Sequence, residues 1–183
     1  MKTDVKLANA LKEMMATTPI EKISVKSLTE QCGINRQTFY YHYRDIYDLL
    51  STMFQNEKII GIDDKNSWEE ALDPIFDYLL SNEKFILNVS NSAGHDLLAE
   101  FLNSVFYQVI LRQLEILDGN KILEAAEKQF IATFYSAGFS KTIMQWIEND
   151  MSEPPLTMID RLVKFFERAI EKNFNRYVIR QND

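Results

Sequence analysis

Residues 24–43 read SVKSLTEQCGINRQTFYYHY. A short helix, a glycine turn and a second short helix fit this stretch, which is the form of a helix-turn-helix. Ser24 is a good N-cap for the first helix, whose inward positions are Val25, Leu28 and Cys32. Gly33 suits the left-handed residue that ends a helix. Asn35 can cap the second helix, and Ile34 and Phe39 supply its inward face. The other side chains of that helix, Arg36, Gln37, Thr38, Tyr40, Tyr41 and His42, are polar or amphipathic. Arg and Gln can each make two hydrogen bonds to a base edge, with guanine and adenine respectively. Hydroxyls and an imidazole N–H can donate to phosphate oxygens. Lys26 sits in the first turn of the preceding helix, near a groove edge. The chemistry of this stretch points to double-stranded DNA.

Outward from it, three- and four-residue spacing of apolar residues runs through nearly the whole chain, the helical period. Val5, Leu7, Ala8, Leu11, Met14 and Met15 make a first helix, closed by Thr17-Thr18-Pro19. Asp45 can cap a fourth helix reaching about Ile62. The polar run 63–66 reads as a linker, and Ser67-Trp68-Glu69-Glu70 has the form of a capping box. Pro74 in the helix that follows is tolerable in or near a first turn. Further helices are expected at about 83–90, 96–117, 121–149 and 155–173, separated by Gly94, Asp118-Gly119-Asn120 and Pro154-Pro155. The expected fold is all-α, with about nine helices and no strand. Residues 1–50 form a three-helix DNA-binding head, a helix to about 62 connects, and 63–183 form a helical ligand-binding and dimerisation domain.

The 183-residue chain has an ordinary globular composition, with 46% hydrophobic and 26% charged residues, and only 5 Gly and 4 Pro. Its net charge of −7 is uneven. Residues 1–50 carry seven Lys/Arg and six Asp/Glu; the rest carry thirteen and twenty-one. A polyanion would therefore meet the first fifty residues. The start, MKTDVKLANALKEMM, lacks the apolar core of a signal peptide. No apolar run is long enough to span a membrane. The one cysteine, Cys32, cannot form an internal disulfide and fits a reducing, cytoplasmic setting. With two histidines, and no metal-ligand cluster, nucleophile elbow or P-loop, neither a catalytic residue, nor a metal, nor a cofactor is expected.

The last helix bears on assembly. At 100° per residue, Leu156, Met158, Ile159, Leu162, Val163, Phe165, Phe166, Ala169 and Ile170 fill about half the cylinder, wider than the stripe one neighbour needs. The preceding helix carries Ser136, Ala137, Gly138 and Ser140, small enough for close approach of another helix. Either the last helix is central to one compact domain, or these two helices build a four-helix homodimer interface across a two-fold axis. An effector cavity would draw on the aromatic supply, and Phe85, Asn88, Phe106, Gln108 and Tyr135 are its candidate lining.

The stretch from Ile23 to Leu50 reads I-S-V-x-x-L, then C-G-I-N-x-x-T-F-Y-Y-H-Y, then D-I-Y-D-L-L. It resembles the DNA-binding domain of the tetracycline-repressor (TetR) family of transcriptional regulators, from about Val5 to Leu50. The run from Phe130 to Pro155, with Tyr135, Gly138, Trp146-Ile147 and Pro154-Pro155, resembles a subgroup that includes regulators of dihydroxyacetone-kinase operons. The resemblance implies an α-helical homodimer whose third helix enters the major groove. A small-molecule effector or a partner protein would act at the C-terminal domain. It implies base contacts from Lys26, Arg36, Gln37 and Tyr41, and phosphate contacts from Ser24, Thr38, Tyr40 and His42, with Arg44 nearby. It places Tyr43 in the core. The implied dimer interface takes in Phe130, Phe134, Ala137, Gly138, Leu156, Ile159, Val163 and Phe166. Ile46 departs from the family, which often has a phosphate-binding lysine there. That departure and the acidic total leave a second reading, a helical co-regulator with weak or no DNA binding of its own.

Overall fold

A computed structural model of the chain describes residues 3–119, 123–166, 168–172 and 174–175. Among these residues the structure is helical throughout, with no strand. The helices are α1 (Thr3–Met15), α2 (Val25–Cys32), α3 (Arg36–His42), α4 (Ile46–Asn56), α5 (Trp68–Ser81), α6 (Glu83–Ser90), α7 (His95–Leu117), α8 (Ala125–Glu148) and α9 (Pro155–Phe166), with a 3-10 turn at Ile20–Lys22. Asn120, Lys121, Ile122, Glu167 and Asn173, which fall within the expected turn and helices, lie outside the described residues.

The chain divides into two compact units that do not follow chain order. One holds residues up to 58 together with 79–101; the other holds 59–78 and the residues from 102 onward. In the first unit, Leu7, Leu11 and Met15 of α1, Leu28 of α2, Phe39 of α3, and Leu49 and Leu50 of α4 are almost wholly buried. Phe54 of α4 lies 5.9 Å from the Phe85 ring of α6 and stacks at 5.0 Å on Phe101 of α7. The α6 side chain Asn88 fastens the end of α1. Its amide donates to the carbonyls of Met15 and Thr18, both at 2.7 Å, and accepts the Ile20 N–H at 3.1 Å. The Met15 carbonyl is one that α1 leaves open where it stops, and the Thr18 carbonyl and Ile20 N–H belong to the turn that follows. Gly94 packs so close to Leu50 that a Cβ there would lie 2.9 Å from the leucine Cδ2.

The second unit has an aromatic core. Trp68 of α5, Phe106 of α7 and Phe139 of α8 pack together, at 5.1 Å and 5.4 Å between rings, and Phe166 of α9 closes on Phe139 at 4.7 Å. Phe76 packs on Trp146 at 5.1 Å. The Asp118 carboxylate at the end of α7 is buried; it accepts the Leu123 N–H and pairs with Lys128 Nζ at 2.6 Å.

Three element boundaries, those of α4, α8 and α9, differ from expectation, and α8 begins at Ala125 rather than near 121. α4 stops at Asn56 rather than near Ile62. The Asn56 amide turns back onto the Thr52 carbonyl, Glu57 is extended, and Gly61 has φ +86°. The apolar pair that suggested continued helix splits, with Ile59 buried and Ile60 93% exposed. Pro74 lies in the second turn of α5, not the first. α9 stops at Phe166, Arg168 takes a left-handed φ of +55°, and helix resumes at residues 169–172.

Candidate nucleic-acid interface

The local chemistry of residues 24–48 sets three helix starts and one turn. The Ser24 hydroxyl accepts the Ser27 N–H at 3.0 Å, and the Ser27 hydroxyl accepts the Ser24 N–H at 3.1 Å, a reciprocal cap on α2. Gly33 ends α2 at φ +63°, ψ +37°, where a Cβ would be strained. Lys6 of α1 donates to the Cys32 carbonyl at 2.9 Å, adding a cation at the same helix end. The Asn35 side chain accepts the Thr38 N–H at 2.8 Å to start α3. The Asp45 side chain accepts the Asp48 N–H at 2.9 Å to start α4. Asp48 in turn accepts the Arg44 N–H at 2.9 Å, and this backbone bond is the main reason its carboxyl sits below its ordinary range.

The two short helices are locked by buried Leu28 and Phe39, with Thr29 also buried and its hydroxyl bonded to the Val25 carbonyl at 2.8 Å. Ile34 is half-buried. With Phe39 inward, α3 turns Arg36, Gln37, Tyr40 and Tyr41 to solvent, and Tyr41 is 87% exposed. Thr38 is half-buried, its hydroxyl 3.2 Å from Asn35 Oδ1. Ser24 is exposed, and its hydroxyl is engaged in the α2 cap. Lys26 is exposed with only a 3.9 Å approach to Glu30, a surface pair that contributes roughly 0.3–0.5 kcal/mol at most. The Arg44 side chain is 86% exposed and donates to Asp48 Oδ1 at 3.4 Å. The residues expected to meet bases and phosphates thus lie on the head's outer face around α3.

At the end of α3 the sequence concealed a cluster. Asp4 of α1 reaches both His42 and Tyr43. Its Oδ1 lies 3.3 Å from His42 Nδ1 and accepts the Tyr43 hydroxyl at 3.1 Å. Tyr43 is buried, as the core assignment expected. Burial first, then the bond and charge of Asp4, push its hydroxyl up to about 12. No local signal marks Asp4, because its partners are 38 and 39 residues away. Ile46 is also a core residue, only 7% exposed. It is not an empty phosphate position on the surface; its side chain completes the packing of α4 into the head.

The candidate effector residues do not converge. Phe85 is buried against Phe54, and the Asn88 amide is committed to the end of α1. Both belong to the first unit. Phe106 and Tyr135 are buried in the aromatic core of the second unit, while Gln108 is exposed on another face of α7 from Phe106. A groove of about 550 Å³ lies elsewhere, between the end of α8 and α9, among Thr142, Gln145, Asn149, Met158, Arg161 and Leu162. Among the described residues no group of three His, Cys, Asp or Glu side chains could hold a metal, and no helix is long and apolar enough to cross a membrane.

The apolar half of α9 is used unevenly. Met158 and Leu162 are buried and Phe166 packs inward, whereas Ile159 and Val163 are half-exposed and Leu156 is 78% exposed. On α8 one face carries Phe130 (63% exposed), Phe134 (69%), Ala137 and Gly138, and a Cβ on Gly138 would meet nothing within 4 Å.

Residues 66–168, more than half of the chain, match the family model described as the transcriptional regulator C-terminal region of TetR type. A relative, the HTH-type dhaKLM operon transcriptional activator DhaS of Lactococcus lactis subsp. lactis (strain IL1403), is 28% identical over 137 residues, covering 72% of each chain. A solved structure, the dihydroxyacetone kinase operon activator DhaS, superposes with a TM-score of 0.68 at 22% identity, covering 92% of this chain and 96% of that one, a likeness of fold. With the helix-turn-helix at one end and the matched region over the rest, the chain belongs to the TetR family of transcriptional regulators.

Proposed function

We propose that the protein is a cytoplasmic homodimeric regulator that binds a double-stranded operator with α3 of each subunit in the major groove. The observation that carries this is the outer face of α3, where Arg36 and Gln37 open the helix and Tyr40 and Tyr41 follow, all exposed on a locked helix-turn-helix. Residues at the start of such a helix are the ones that reach base edges. Arg36 and Gln37 read bases, joined by Lys26 and Tyr41 at the groove wall. Ser24, Thr38, Tyr40, His42 and Arg44 hold phosphates. Because the relative from Lactococcus lactis is named as an operon activator, activation is the direction of control we carry over.

The exposed Phe130 and Phe134 beside Ala137 and Gly138, with the open Leu156–Ile159–Val163 flank of α9, support a dimer through α8 and α9. Apolar side chains this exposed cost free energy in water until a partner covers them. A small effector or a partner protein acts on the second unit and shifts DNA affinity by binding one of two states better than the other. The test is competition of operator against random duplex. Replacing Arg36 by Ala costs about 1–3 kcal/mol on operator and relaxes the preference at one base position. Equal weakening on operator and random DNA removes Arg36 from the base readers; no duplex binding even at low salt favours a co-regulator that does not bind DNA itself.

A further inference from the structure

His42 closes α3, with its Nδ1 edge turned toward Asp4. Asp4 comes from α1, and the same carboxylate oxygen accepts the Tyr43 hydroxyl, so its position is fixed by a buried ring. The His42 ring is bracketed by Tyr41, edge-on at 5.3 Å, and Tyr43 at 6.0 Å. It is therefore held with one nitrogen on the carboxylate and the other directed away from it.

An ionised carboxylate only accepts hydrogen bonds, so the Asp4 charge 3.3 Å away favours the tautomer with its proton on Nδ1. In neutral imidazole Nε2 is then a bare acceptor. A phosphate oxygen is also an acceptor, so a neutral His42 in this arrangement repels the backbone it is placed to hold. Protonation at Nε2 converts the same ring into a donor on both sides, bridging Asp4 to phosphate. We propose that Asp4 makes the His42–phosphate contact conditional on one added proton, so that DNA binding takes up a proton at each subunit and weakens as pH rises. This rests on the DNA reading above.

The other charged groups near α3 do not supply this linkage. On α2, Lys26 and Glu30 approach each other. On α4, Asp48 acts on Tyr43 through space, but its carboxylate is held by the Arg44 backbone and side chain. Just after α3, Tyr43, its hydroxyl pushed up by burial, stays neutral through the range in which imidazole titrates. The DNA supplies the final term, since phosphate charge favours the protonated ring. The proton comes from solvent to Nε2 on binding and returns on release.

The experiment is titration of full-length protein against a selected operator duplex from pH 6 to pH 8 at constant ionic strength. Wild-type affinity is expected to fall across that range, by up to about tenfold per pH unit for each His42 that contacts phosphate. An Asn at position 4 can present its amide N–H to Nδ1, which lets neutral His42 carry its proton on Nε2. D4N should therefore lose most of the pH slope and bind more tightly than wild type at pH 8. H42Q should also be flat, but weaker than wild type at pH 6. Y43F frees the Asp4 carboxylate from its buried anchor while leaving the imidazole in place, and should give a shallower slope than wild type. Thermal melting of each variant at both pH values checks folding. If D4N does not fold, calorimetry of wild type in two buffers of different ionisation enthalpy reads proton uptake directly, with about one proton per subunit expected. A flat wild-type profile with specific operator binding, or a D4N slope equal to wild type, overturns the proton linkage and leaves the DNA reading standing. Absence of duplex binding at both pH values overturns both.

Discussion

The amide of Asn88 is the strongest single target for perturbing the helix-turn-helix head without touching its outer face. It makes three hydrogen bonds to backbone groups at the end of α1, two donated at 2.7 Å and one accepted at 3.1 Å. At about 1 kcal/mol for each such bond, N88A should cost about 3 kcal/mol, less where water reaches the half-buried carbonyls. N88D sharpens the test. It keeps an acceptor for the Ile20 N–H but sets a carboxylate oxygen against the Met15 and Thr18 carbonyls. At pH 7 it should be less stable than N88A. The folded state then disfavours the charged form, so the folded-state pKa of the new carboxyl is raised above its unfolded value. Its stability should be greatest below about pH 4, where a protonated carboxyl can donate to one carbonyl, and should fall as pH rises. Trp68 and Trp146 both lie in the second unit, so tryptophan emission reports that unit. Amide hydrogen exchange at Leu11 and Leu28 reports the head. An N88A loss below about 1 kcal/mol in the head, or N88D more stable than N88A at pH 7, would refute the reasoning.

Two further changes probe the head and the exposed face. Tyr43 is nearly buried and its folded-state pKa, about 12, lies above the ordinary value of 10.0. The corresponding stability is fully present below pH 10 and is lost as pH rises through about 12. A two-unit shift corresponds to about 2–3 kcal/mol, and Y43F should lack that alkaline loss in urea midpoints measured between pH 9 and pH 11.5. For the exposed face of α8, F134E should turn dimer into monomer in sedimentation, with the helix content of the monomer unchanged; a wild-type monomer at micromolar concentration, or an F134E dimer, contradicts the α8–α9 interface.

The head was legible because its signals are local. Ser24, Asn35 and Asp45 cap helices within three residues of themselves, Gly33 takes the φ that only its position required, and Phe39 falls inward by helical period. The family resemblance at 23–50 rested on the same residues, and the family match adds residues 66–168. What escaped depended on distance in sequence. Asp4 meets His42 and Tyr43, and Asn88 meets residues 15–20, only after the helices pack. Ile46 looked like a missing charge because the resembled family often has a lysine there, yet its side chain is inside. The aromatic residues named for an effector cavity are mostly core, since ring content alone does not distinguish a wall from a filling. On the half-apolar cylinder of α9, Met158 and Leu162 pack inward while Leu156 stays exposed.

The central claim, sequence-specific DNA binding by a symmetric dimer, is tested most directly by selecting duplexes from a random pool with the full-length protein and mapping the bound region by footprinting. The account predicts a two-fold-related sequence whose half-sites are separated by whole helical turns, about 34–36 Å each. It also predicts that the preference at specific positions disappears when Arg36 and Gln37 are both replaced by Ala. A pool that shows no enriched sequence, with no protected region even at low salt, would contradict it.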